Sequence, residues 1–144
     1  MGFATAFLSF ATLLIVAITL ALIMRLVKEG PGSVLIQRFK IANIPDHLSA
    51  RRELIYIYAE MRWRQWSQPW LMMDDRGLYL VQPKYIEIFL PSLHIPWQDI
   101  IAIHRRQHRL GELISLEIKE LGEVVGLEPQ NEAAIKTYTH LELS

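Results

Sequence analysis

The chain opens on a run without charge. Met1 to Met24 holds only uncharged residues, dominated by Phe, Leu, Ile, Val and Ala. The hydrocarbon core of a bilayer is about 30 Å thick, and roughly 20 apolar residues in a helix cross it. Nothing interrupts this run: it has no proline, and its one glycine is Gly2. A cleavable signal peptide is the poorer reading, because such a peptide has a basic n-region, about 7–15 apolar residues and a small-residue cleavage site. Here no Lys or Arg precedes the run, and Met24-Arg25-Leu26-Val27-Lys28 follows it. Ala6 stands where the myristoylation pattern needs Ser or Thr. The run is therefore expected to stay in place as a membrane anchor.

The flanks give an expected orientation. Arg25 and Lys28, then Arg38 and Lys40, all follow the run. The positive-inside bias then puts the amino terminus outside and the rest of the chain in the cytoplasm. The lack of cysteine fits that compartment. No ionisable side chain lies within the span, which argues against a channel or transporter built on it. Gly2-x-x-x-Ala6 and Ala17-x-x-x-Ala21 offer small faces, so Ala6, Ala17 and Ala21 are candidate helix-packing positions.

The remaining length of this 144-residue chain supports one small domain. The expected division is an anchor over 1–28, a juxtamembrane linker over 29–46 and a cytoplasmic β domain over 47–144. Net charge is zero, with 15 basic and 15 acidic residues, but it is unevenly spread. The membrane-proximal part is basic and the distal part acidic, rich in Glu from Glu112 to Glu142. A basic collar is attracted to an anionic leaflet by about 1 kcal/mol for each Lys or Arg at the surface.

Gly30-Pro31-Gly32-Ser33 reads as a helix break and short hinge, and Ser33 to Ile44 as a connector of mixed character. From Asp46 the spacing of Leu48, Arg51, Arg52, Leu54, Ile55 and Tyr58 predicts an amphipathic helix to about Tyr58, with a strand from about Glu60. The alternation of Ile55, Ile57 and Ala59 against Tyr56, Tyr58 and Glu60 equally suits a strand. Strands are then expected at 70–73, 78–81, 85–90, 94–103, 113–118 and 124–127, with a turn at Asp74-Asp75-Arg76-Gly77. Asn131 to Tyr138 reads as a short helix packing Ala134, Ile135 and Tyr138 onto the sheet. The fold class is α+β: an amino-terminal transmembrane helix, a mainly antiparallel β domain and a carboxyl-terminal capping helix.

Asp75-Arg76-Gly77-Leu78-Tyr79-Leu80 followed by Ile95-Pro96-Trp97-Gln98-Asp99-Ile100 resembles a pattern in uncharacterised bacterial single-pass membrane proteins. The resemblance covers roughly residues 60 to 140. It implies a small domain of the pleckstrin-homology-like or GRAM-like kind, a bent sheet capped by one helix, at the bacterial inner membrane. It implies no catalytic residue. The stretch Pro83-Lys84-Tyr85-Ile86 departs from the glycine- and histidine-rich connection of the pattern.

The chain has no cysteine, no G-x-S-x-G, no phosphate-binding loop and no dinucleotide fingerprint. An enzyme is therefore not expected, and no cofactor is implied. His104 and His108 have a ligand-like spacing, but Arg105, Arg106 and Arg109 crowd them, which disfavours a metal ion. Those three arginines, with Arg25 and Lys28, are candidate contacts for a phosphate or anionic lipid; the alternative is a solvated hairpin. Arg62, Trp63, Arg64, Trp66 and Trp70 form the most suggestive segment beyond the anchor. They read either as an interface to a headgroup or membrane protein, or in part as core. Zero net charge is a poor match to nucleic acid. Two functions remain: an accessory or scaffold subunit of a larger integral membrane complex, respiratory or photosynthetic, or a tethered lipid-headgroup module.

Overall fold

The computed structural model describes residues 2–29, 32–42, 51–59, 61–109 and 111–144. Helix α1, Gly2–Glu29, contains a 24-residue stretch, Gly2–Arg25, long and apolar enough to cross a membrane, and none of that stretch is buried. Ala6, Ala17 and Ala21 are all exposed on it. Gly30 and Pro31 of the expected hinge lie outside the described residues, as does Asp46.

Helix α2, Ser33–Phe39, follows from Gly32, whose φ of +86° suits a residue without a side chain. Leu35 and Phe39, one helical turn apart, are buried in the core of the β domain. The stretch read as a connector is thus partly core, because two large apolar side chains at i and i+4 give about two helical turns a face worth burying. The chain then joins the sheet through a Lys40–Leu93 bridge and Ile41 N–H donating to Ser92 O at 3.0 Å.

Nine strands follow: β1 Arg51–Arg52, β2 Ile55–Ala59, β3 Arg62–Ser67, β4 Trp70–Met73, β5 Gly77–Val81, β6 Leu93–Pro96, β7 Ile100–His108, β8 Gly111–Ile118 and β9 Gly122–Leu127. They form two antiparallel sheets, one in the order β1-β4-β5-β6 and one in the order β3-β2-β9-β8-β7. The short helix α3, Lys84–Glu87, interrupts the first sheet, and α4, Glu132–Thr139, closes the fold. The α+β class is as the sequence indicates.

One apolar core lies between the sheets. Leu78, Leu80, Leu93 and Ile95 face Ile55, Ile57, Ile103, Ile114, Leu116, Val125 and Leu127, with Ile135 of α4 and the two α2 side chains closing the ends. Burying each such side chain contributes about 1.5–3 kcal/mol. Three stretches depart from expectation. The run expected over 94–103 is two strands, β6 and β7, in different sheets, separated by a 3₁₀ turn at Trp97–Asp99. The described part of the 46–58 segment is β1 and β2 rather than helix, since alternation sends Ile55 and Ile57 inward opposite Val125. The Tyr85–Leu90 run is α3 and a turn rather than a strand, because Pro83 O accepts from both Ile86 and Glu87 N–H and starts a helical turn.

The Asp74–Gly77 turn forms as expected. Asp74 Oδ1 accepts from Arg76 N–H at 2.8 Å and from Gly77 N–H at 3.2 Å. Trp97 Nε1 donates to Asp74 O at 2.6 Å, which ties this turn to the start of β7.

Candidate functional site

The core-forming sheet has a second, outward face, and strand alternation decides what stands on it. Tyr58 pairs with Trp63 and Tyr56 with Gln65, so these four share the face opposite Ile57 and Val125. Gly126 lies beside Tyr56 in the next strand and leaves room for the Trp63 ring: a side chain there would meet Trp63 carbons at 3.1 Å. The end of β7 comes across this face. His108 Nε2 lies 3.3 Å from Trp63 O, and its ring sits 4.9 Å from that of Tyr56. Trp63 in turn tilts against Tyr58 at 5.1 Å.

The result is a groove of about 760 Å³ whose walls include Tyr56, Tyr58, Trp63 and His108, with Arg62 and Arg109 at its edge. Among the described residues neither Arg62 nor Arg109 has an ion-pair partner. Met61, at the hairpin tip, is 90 % exposed with φ +65°. Aromatic faces beside guanidinium groups suit an apolar or aromatic segment that carries negative charge.

The candidate residues read from the sequence are sorted by this geometry. Arg62 and Trp63 line the groove, together with Arg64, which pairs with Ile57 and is half-buried. Trp66 does not join them: its indole packs on the side of Gly32 and the core. Trp70 lies in the other sheet under the Arg52 guanidinium, 5.4 Å from the ring centroid. The three indoles therefore occupy three places, because neighbours in a strand point to opposite faces and the break at Gln68-Pro69 separates β3 from β4.

The arginine cluster is likewise divided. Arg105 reaches α4 and pairs with Glu132 at 3.0 Å, while Arg106, on the opposite face of β7, pairs with Glu123. Only Arg109 of the three is at the groove. Arg105 and Arg106 thus each already hold a carboxylate partner. Arg25 lies in the last turns of α1, and the side chain of Lys28 lies outside those described. Tyr56, Tyr58 and His108 were not among the sequence candidates, although the alternation over 55–59 carries the signal for the two tyrosines.

A polar network borders the groove on the same face. His104 Nε2 lies 2.9 Å from Glu117 Oε2 and 3.1 Å from Glu123 Oε1. The three ligand atoms lie within 4.8 Å of one another, but the guanidinium of Arg106 already neutralises Glu123 and would have to yield to a cation. That hydrogen bond holds the Glu123 carboxyl below the usual carboxylate range, against desolvation. His104 Nδ1 meets Ser144 Oγ, so the imidazole stands between a serine and a glutamate, the groups of a hydrolase triad. Here the serine clips the chain to β7 instead: its N–H and hydroxyl both donate to Ile103 O, and its carbonyl accepts from Arg105 N–H.

A buried carboxylate holds the far side of the domain. Glu53 accepts from Gln130 Nε2 and Asn131 Nδ2, each at 2.8 Å. Burial, and then the Glu53 charge, raise the neighbouring Glu128 carboxyl above its ordinary value. The chain matches no protein-family model, and no curated protein matches it significantly.

Proposed function

We propose that the protein is a membrane-anchored, non-enzymatic accessory or scaffold subunit. In this reading α1 crosses the bacterial inner membrane with its amino end outside, and the β domain stands in the cytoplasm against a larger integral membrane complex. A respiratory or photosynthetic assembly is a natural host. The PH-like kinship belongs to the same proposal; two antiparallel sheets with one closing helix are compatible with it.

The observation that carries the reading is the aromatic and basic groove of Tyr56, Tyr58, Trp63, Arg62 and Arg109, on a domain joined to an apolar helix with no buried side chain. Indole, phenol and guanidinium groups are the side chains that dominate protein interfaces; here Trp63 and Tyr56 are half-buried and Tyr58, Arg62 and Arg109 exposed. The basic flank Arg25 and Lys28 supports the orientation.

The test is extraction of the full chain in mild detergent followed by native mass spectrometry. A stoichiometric membrane-protein partner is expected, and its retention should fall with Arg62→Glu and Trp63→Ala. A lone monomer would refute the scaffold role. A reporter fused after Ser144 should be active only as a cytoplasmic fusion.

A further inference from the structure

A second groove, of about 650 Å³, lies where the anchor meets the domain. Met24 of α1, Ile36 and Lys40 of the α2 segment, and Ile88, Phe89 and Pro91 after α3 line it. Its position along the anchor is informative. Met24 is the last residue before the first charge, Arg25, and α1 continues to Glu29. At 1.5 Å per residue, the domain surface thus reaches back along about 7–8 Å of helix to the end of the apolar stretch.

The part of the domain at that level is apolar and unpartnered. Ile88 is 81 % exposed and Tyr85 70 %, and Val34 on α2 is 53 % exposed. Lys84 and Lys40 stand exposed beside them; among the described residues the acid there is Glu87, whose Oε1 accepts from Ser92 Oγ at 3.1 Å. Ser92 Oγ also accepts from Gln82 N–H at 3.0 Å, and buried Gln82 donates through Nε2 to Ser67 Oγ. The turn carrying Tyr85 and Ile88 is therefore held on the sheet by side chains, at a fixed height. Tyrosine and lysine around an aliphatic tip are the side chains that settle in the headgroup zone.

We infer that the α3 turn is a second membrane contact: Tyr85 and Ile88 enter the headgroup–acyl boundary of the leaflet that α1 leaves, while Lys84 and Lys40 face its phosphates. This rests on the anchoring reading above. The lipid is the occupant favoured because the groove is continuous with the span itself, and because Lys40 on its wall and the exposed Lys84 of α3 complement an anionic leaflet. The domain would then be held at two points, which fixes its rotation about the anchor as well as its distance from the bilayer.

The chain has no cysteine, so single labels are unambiguous. The full-length protein is reconstituted in vesicles of phosphatidylethanolamine and phosphatidylglycerol, with an environment-sensitive fluorophore on Leu14→Cys, Ile88→Cys or Met61→Cys. Spin-labelled lipids with the quencher near the headgroup or deep in the acyl chain report depth. We expect Leu14 to be quenched by the deep label, Ile88 by the shallow label with a blue-shifted emission, and Met61 by neither. If Leu14 is quenched while Ile88 is as wet as Met61, the second contact is wrong and the anchor stands. If Leu14 is not quenched, the anchor reading fails and the inference falls with it. Lys84→Glu with Lys40→Glu should reduce the Ile88 blue shift in these vesicles; an unchanged shift would overturn the role given to the two lysines.

Discussion

The indole of Trp97 lies flat on the phenol ring of Tyr138, with centroids 5.2 Å apart and planes 10° from parallel. Through this stack and the Trp97–Asp74 hydrogen bond, the β4–β5 turn, the entry to β7 and the closing helix α4 are fastened at one point. Trp97→Phe keeps an aromatic ring and deletes the Nε1 donor, so urea melts should show a loss of about 1 kcal/mol. A double-mutant cycle between Trp97→Ala and Tyr138→Ala should return a coupling of about 0.5–1.5 kcal/mol. No coupling would mean that the rings are not in contact in solution.

Gly77 is required by a close approach rather than by the turn beside it. A side chain there would meet Ile95 O at 2.4 Å and Pro96 Cα at 2.9 Å, both backbone atoms of the paired strand. Gly77→Ala should therefore cost about 1–3 kcal/mol, as other overpacked sites do, and should weaken amide-exchange protection across β5 and β6 first.

Glu120 takes the opposite substitution well. It sits exposed in the β8–β9 turn at φ +70°, a conformation that costs side-chain-bearing residues. Glu120→Gly should raise thermal stability, by up to about 1 kcal/mol once the added freedom of the unfolded chain is offset.

The buried carboxylate of Glu53 should behave as a structural clamp. Glu53→Ala removes the acceptor of the Gln130 and Asn131 amides, and we expect a loss of about 1–3 kcal/mol in a denaturant melt. Glu53→Gln should be milder, since one acceptor oxygen remains.

Acid stability should be set by opposing carboxylates. Glu123 is held low by Arg106, and Glu132 by Lys136 and then Arg105. A depressed folded value means that their stabilisation is complete above the ordinary carboxylate range and is lost as the pH falls through the folded values. Glu128 has the reverse sign: its raised folded value makes the ionised form unfavourable, so stability from it grows as the pH falls. Glu128→Gln should thus stabilise the protein at neutral pH, and Arg106→Ala should flatten the acid limb of a stability–pH curve.

Much of this architecture is legible in the residues themselves, and the exceptions have a common cause. The long apolar helix, the turn at Asp74 and the alternating strands from Leu113 to Leu127 depend on local signals of length, Asx chemistry and period. Helix α4 is displaced by a single residue, running from Glu132 to Thr139. The segments that depart from their local pattern are those where a competing period or a neighbouring residue overrides it. Over 55–58 the helical and strand patterns coexist, and the facing Val125 and Leu127 decide between them. Over 85–90 the alternation is real, but Pro83 and the Ser92–Glu87 hydrogen bond fold it into a turn. The groove shows the same limit. Trp63 stands out in the sequence, but His108 lies 45 residues from it and reaches Trp63 and Tyr56 only across strands.

The placement of Leu35 and Phe39 inside the β core also bears on how the protein can be handled. A soluble fragment cut after residue 45 would carry a sheet with two of its apolar plugs missing and without the Lys40–Leu93 bridge at its edge. Such a fragment should expose hydrophobic surface and aggregate. One beginning at Gly32 would keep the whole core, so the shortest expressible unit starts immediately after α1.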